Sequence, residues 1–121
     1  MNGYTKEELI EALRVVSSSI INCEKVQPKF AEGTSQHSLL RNRIKVLYIS
    51  KLLIESKDII DKYTKEELIE ALPPVNSIIS KCEKGQIKFS EGTSHHTRFK
   101  NIIKAMYISK SLITDEISKR D

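Results

Sequence analysis

The chain spells out one unit twice. Residues 4–56 and 63–115 align without a gap at a constant offset of 59, and about 33 of the 53 aligned pairs are identical. Duplication, not chance, relates the two stretches. Each copy reads YTKEELIEAL, then CEK, KF and EGTS, and closes on a pattern of IK, YISK and LI. The constraint on the fold is strong, because a unit this short cannot cover its own apolar face and must bury it against the other copy. A chain of 121 residues has the length of a single domain, 1–121, able to bury roughly two thirds of its surface.

Each copy predicts a helical hairpin. Thr5 stands three residues before Glu8, and Thr64 before Glu67, which is the spacing of a capping box. Tyr4 and Leu9, with Tyr63 and Leu68, are placed for a hydrophobic staple across each cap. Apolar residues then recur at steps of four and three: Leu9, Leu13, Val16, Ile20 and Cys23, matched by Leu68, Leu72, Val75, Ile79 and Cys82. That rhythm makes a bundle-forming seam. In the second copy Pro73 and Pro74 replace Arg14 and Val15. A proline in a helix interior costs about 3 kcal/mol, so a kink or a break into two segments is expected near Ala71 to Val75. The change reads either as drift after duplication or as a bend that opens space beside a site.

The stretch from Lys29 to Thr34 turns the chain, with Gly33 supplying backbone freedom and Thr34 or Ser35 capping the next helix. That second helix carries Leu40, Ile44, Leu47 and Ile54 on one arc, matched by Phe99, Ile103, Met106 and Ile113. Residues Ser56 to Lys62 are too few for a domain linker. The expected architecture is all-α: a four-helix, up-down-up-down bundle of two tandem hairpins with pseudo-two-fold symmetry.

Hydrophobic content of 39% and charged content of 30% fit a soluble globular protein. No apolar run approaches membrane-spanning length and the N-terminus lacks a signal peptide's apolar core, so a cytoplasmic setting is expected. The net charge of +4 permits an anionic partner without demanding one. Four Tyr, three Phe and no Trp argue against a base-stacking platform. Cys23 and Cys82 are one position counted twice, and neither has a second ligand at zinc spacing. They read as buried, reduced apolar side chains.

A polar stripe runs beside the core arc. His37, Arg41, Lys45 and Tyr48 follow at steps of four, four and three and share one helix face; their counterparts are His96, Lys100, Lys104 and Tyr107. Thr34 and Ser35, with Thr93 and Ser94, add hydroxyls at a helix start, where free N–H groups and the dipole favour an anion. Cap, cations and ring together suit a phosphate-bearing ligand with a flat base. The same residues are also what ordinary capping and a solvated cationic face require. Metal binding is the weakest reading, since one His per repeat plus His95 leaves too few ligands.

Catalysis has little to stand on. Ser35 and His37 face different directions with no orienting acid, Glu7 and Glu8 are capping residues, and Asp58 and Asp61 lie at the junction without partners. No cofactor is expected.

The segment reading GTS, His, then LLRNRIKVLYISKLLI resembles the helical-hairpin domain of phage anti-defence sponges, of the anti-CBASS and anti-Thoeris type, chiefly over Gly33 to Ile54 and Gly92 to Ile113. The resemblance implies a non-enzymatic protein that sequesters a nucleotide-derived signal. It implies Thr34, Ser35, His37 and Arg41 on phosphate with Tyr48 near a base, and Thr93, Ser94, His96, Lys100 and Tyr107 likewise. Two pseudo-equivalent sites per chain follow, with room for a homodimer. Two further readings compete: an interaction module, or inhibitor of a host complex, that docks through exposed helix faces, and weak nucleic-acid binding through Arg41, Arg43, Lys45 and Lys51.

Overall fold

A computed structural model of the chain describes residues 3–120, so Met1, Asn2 and Asp121 of the expected domain lie outside the described residues. Four α-helices and no strand occur among those described: α1 Lys6–Val26, α2 Ser35–Ile54, α3 Lys65–Ile87 and α4 Ser94–Lys119. All four starts are capped as the sequence dictates. Thr5 and Thr64 close reciprocal capping boxes with Glu8 and Glu67, and Thr34 and Thr93 accept the N–H of His37 and His96 at 3.3 and 3.2 Å. Each of these hydroxyls also donates backward, to the carbonyls of Ala31 and Ser90. The turns before α2 and α4 need a positive φ, which Gly33 and Gly92 both supply at +91°.

Consecutive helices are neighbours, and α4 packs against α1 to close the bundle. Across the middle, α2 and α4 touch whereas α1 and α3 do not approach. Small buried side chains on the touching pair, Ser50, Ser109 and Ala105, leave room for the close approach. The two serines are fully buried, and each satisfies its hydroxyl on the carbonyl four residues back, at 2.8 Å to Val46 and 2.9 Å to Ala105.

That central position broadens the buried arc of the second helices. On α2 the buried residues are Val46, Leu47, Ile49, Ser50 and Ile54, while Leu40 and Ile44 of the expected arc are only half-buried. On α4, Met106 and Ile113 are buried as expected, but Phe99 and Ile103 are half-buried. The N-terminal halves of α2 and α4 thus carry less of the core than a uniform seam implies. On α1 the buried set is Ala12, Val15, Val16 and Ile20, with Leu9, Leu13 and Cys23 partly covered.

Of the kink or break expected near Pro73–Pro74, the break does not occur: α3 is continuous from Lys65 to Ile87. The two prolines withhold N–H groups from the carbonyls of Ile69 and Glu70, both exposed residues. On the opposite face Leu68, Val75 and Ile79 are buried. At about 1.5–3 kcal/mol each, their burial offsets two prolines costing about 3 kcal/mol apiece.

The connection between the repeats is pinned at the far end of α4. Arg120 donates to the carbonyls of Tyr63 and Ile59 at 2.7 and 3.2 Å and pairs with Glu116 at 3.1 Å. Ile59 is itself buried, so this segment belongs to the core. No helix among the described residues is long and apolar enough to cross a membrane.

Candidate functional site

The polar stripe on each second helix divides among its neighbours. Lys45 reaches α3 and pairs with Glu67 at 2.7 Å; Lys104 reaches α1 and pairs with Glu8 at 3.2 Å. These are equivalent positions in the two copies, each joining one repeat's second helix to the other repeat's capping box. Both pairs are solvent-screened, so each adds little to stability. Their main effect is to fix orientation. Glu8 is held below the ordinary carboxylate range chiefly by its hydrogen bond from the Thr5 backbone and then by Lys104; Glu67 is held below it chiefly by Lys45.

Tyr48 leans the other way, donating to Glu24 of α1 at 2.9 Å, a bond that raises its phenol pKa. Tyr107 is exposed. Arg41 and Lys100 are exposed, Ser35 donates to Gln36 at 3.2 Å, and His37 keeps a buried Nδ1 that meets no protein partner. The stripe therefore does not converge on one point: Lys45 and Tyr48 go to opposite neighbours of α2.

A different set of residues does converge. Between α1 and the first turns of α4 lies a cleft of about 480 Å³, within the usual range for small-ligand sites. Arg14, Ser18 and Asn22 line it from α1; Ser94, Thr97 and Arg98 line it from α4. No carboxylate is among the lining residues. Arg14 is partly neutralised by Glu11, which it grips with Nε at 3.1 Å and Nη2 at 2.5 Å; the pair holds the Glu11 carboxyl below its ordinary range. Arg98 is exposed. Of the twelve residues expected from the sequence, Ser94 alone lines this cleft.

The equivalent groove between α2 and α3, about 490 Å³, lacks the arginines and is lined by the carboxylates Glu67 and Glu70. Arg14 corresponds to Pro73 and Arg98 to Leu39, while Ser18 and Asn101 keep their counterparts Ser77 and Asn42. The groove is lined by Leu39, Pro73 and Pro74, with Lys45 already paired to Glu67. Two grooves of one ancestry have become one cationic and one largely apolar. The signal lay in the positions where the copies differ.

Cys23 and Cys82 are free; Cys82 is buried and Cys23 partly so. Burial pushes both thiols up, and Arg43 draws both part of the way back. Among the described residues no group of three His, Cys, Asp or Glu side chains is placed to hold a metal ion. Comparison with protein-family models, with curated proteins and with solved structures returned no match.

Proposed function

We propose that the chain is a non-enzymatic binding protein that takes up a phosphate-bearing small ligand, nucleotide-derived, in the cleft between α1 and α4. One observation carries the reading. Two guanidinium groups, one of them paired with Glu11, four hydroxyl side chains and two asparagine amides line a cleft with no carboxylate in its lining at the start of a long helix, where free N–H groups add to the positive field. Guanidinium forks and hydroxyl donors are the groups that hold phosphate oxygens. The likeness of the Gly-Thr-Ser turn and following helix to anti-defence sponge domains supports the same ligand class and a sequestering role.

Support for the two sites of the duplicated plan is unequal. The α4 turn has Arg98 beside it and Arg14 opposite, whereas the α2 turn has Leu39 and Pro73 at those positions. The proposal is therefore one strong site per chain.

Calorimetry of the purified protein against linear and cyclic nucleotides tests it. Binding that Arg98→Ala with Arg14→Ala weakens by at least about tenfold is the expected result. No heat with any nucleotide at millimolar concentration removes the reading. An ultraviolet spectrum adds a cheap check, because a chain without Trp shows a co-purified nucleobase clearly.

The alternative, docking on another protein, rests on Ile87, which is 85% exposed, and on Ile10, Ile60 and Ile69, all exposed. Retention of a stoichiometric protein partner, lost in Ile87→Ser, with no nucleotide bound, would favour it.

A further inference from the structure

Beside the α1/α4 cleft lies a second, smaller space. A chamber of about 250 Å³ shares Ser19, Asn22, Arg98 and Ile102 with the cleft, so the two are contiguous. Its walls are apolar, with Leu47, Ile78 and Met106 beside the two thiols. Into it projects one charged side chain from α2, Arg43, whose Nε and Nη2 are buried and meet no hydrogen-bond partner in the protein.

Those two nitrogens are the parallel N–H edge of a guanidinium. Arg14 uses the same edge on Glu11, one nitrogen to each carboxylate oxygen. The natural complement is two oxygens of one carboxylate or phosphate. Arg43 is half-buried, but two guanidinium nitrogens out of reach of water without an acceptor are costly, and no Asp or Glu lines the chamber. The thiols do not fill that role, since burial keeps them protonated. Asparagine and serine at the threshold add donors, not charge. The chamber thus has a fork for an oxyanion and no internal group to occupy it.

We propose that Arg43 is the anchor of the ligand site: its Nε–Nη2 edge receives a terminal oxyanion of the ligand in the smaller chamber, with Arg98 between the two spaces, while the ligand's larger polar body lies in the adjoining cleft. This rests on the reading of the cleft as a ligand site and deepens it. The ligand class becomes a small molecule with a free terminal phosphate or carboxylate on a compact body, such as a nucleoside monophosphate. Arg43 has no counterpart in the second repeat, where Ile102 stands in its place; like Arg14 and Arg98, it belongs to the differences between the copies.

The test uses the full chain and two probes, adenosine 5′-monophosphate and inorganic pyrophosphate. The arginine Nε–H resonances are followed by nitrogen-proton NMR, with the Arg43 signal assigned by its loss in Arg43→Lys. Both probes should shift that signal in the wild-type protein, and Arg43→Lys, which keeps the charge and loses the fork, should weaken nucleotide binding by at least about tenfold. If the nucleotide binds and moves the amides of Ser94 and Thr97 while the Arg43 signal stays put, the anchor is wrong and the cleft reading survives. If neither probe moves either set at millimolar concentration, both fall. Should Arg43→Lys not fold, Arg43→Gln supplies the assignment and the wild-type shift decides.

Discussion

Gly85 sits near the end of α3, and a Cβ built on it would lie 2.8 Å from Cζ and 3.0 Å from Cε1 of Phe99. The first copy has Val26 and Leu40 at these two positions. Phe99 also stacks on Phe89, whose ring lies 6.0 Å away and is itself stacked on His95 at 4.7 Å. The ring therefore has little freedom to retreat. Gly85→Ala gains at most about 1 kcal/mol of helix propensity. Overpacking costs about 1–3 kcal/mol, so the variant should be destabilised by up to about 2 kcal/mol. Phe99→Leu removes the obstruction, and the double variant should recover about 1–2 kcal/mol relative to the sum of the single changes. Urea unfolding followed by circular dichroism, with the denaturant slope unchanged, measures all four corners. If Gly85→Ala alone stabilises the protein by the full propensity gain, the ring does not occupy that space and the packing described here is wrong.

Other consequences follow from the same structure. Replacing Pro73 and Pro74 by the first copy's Arg and Val restores two helical hydrogen bonds and should raise stability by up to about 3 kcal/mol per proline, read as a higher urea midpoint; no gain would mean the helix is strain-free as it stands. Leu39→Arg with Pro73→Arg transplants the two cleft arginines into the α2/α3 groove and should add a second, weaker site for adenosine monophosphate by calorimetry; an unchanged stoichiometry would show that the arginines are insufficient. Glu8 and Glu67 have lowered pKa values in the fold, so the stability they contribute is present above the ordinary carboxylate range and lost as pH falls through their lowered folded values. Glu8→Gln with Glu67→Gln should flatten the acid limb of a stability-against-pH curve; an identical limb would assign acid sensitivity elsewhere.

What the sequence made legible was what local chemistry decides. The four threonine caps and two capping boxes are set within three residues of chain, and all of them form. The duplicated seam likewise led to an all-helical bundle. Interactions between helices were harder to read. Lys45 and Lys104 looked like ligand groups on a helix wheel, yet their partners Glu67 and Glu8 lie on helices of the other repeat, a relation no single-helix pattern contains. Proline propensity argued for a break in α3, but burial of Leu68, Val75 and Ile79 on the far face outweighed it. The cleft arginines were passed over for a different reason. Repeats draw attention to what they share, and shared positions mostly maintain the fold; Arg14, Arg43 and Arg98 stand where the copies disagree.

The asymmetry between the two grooves is tested most directly by mapping backbone amide shifts as adenosine monophosphate is added to the wild-type chain. Shifts gathered on Arg14 to Asn22 and on Ser94 to Asn101, with Ser35 to Leu39 of α2 and Pro73 to Ser77 of α3 silent, are the predicted result. Equal shifts at Ser35 to Asn42, or shifts following His37, Arg41 and Tyr48 instead, would contradict it.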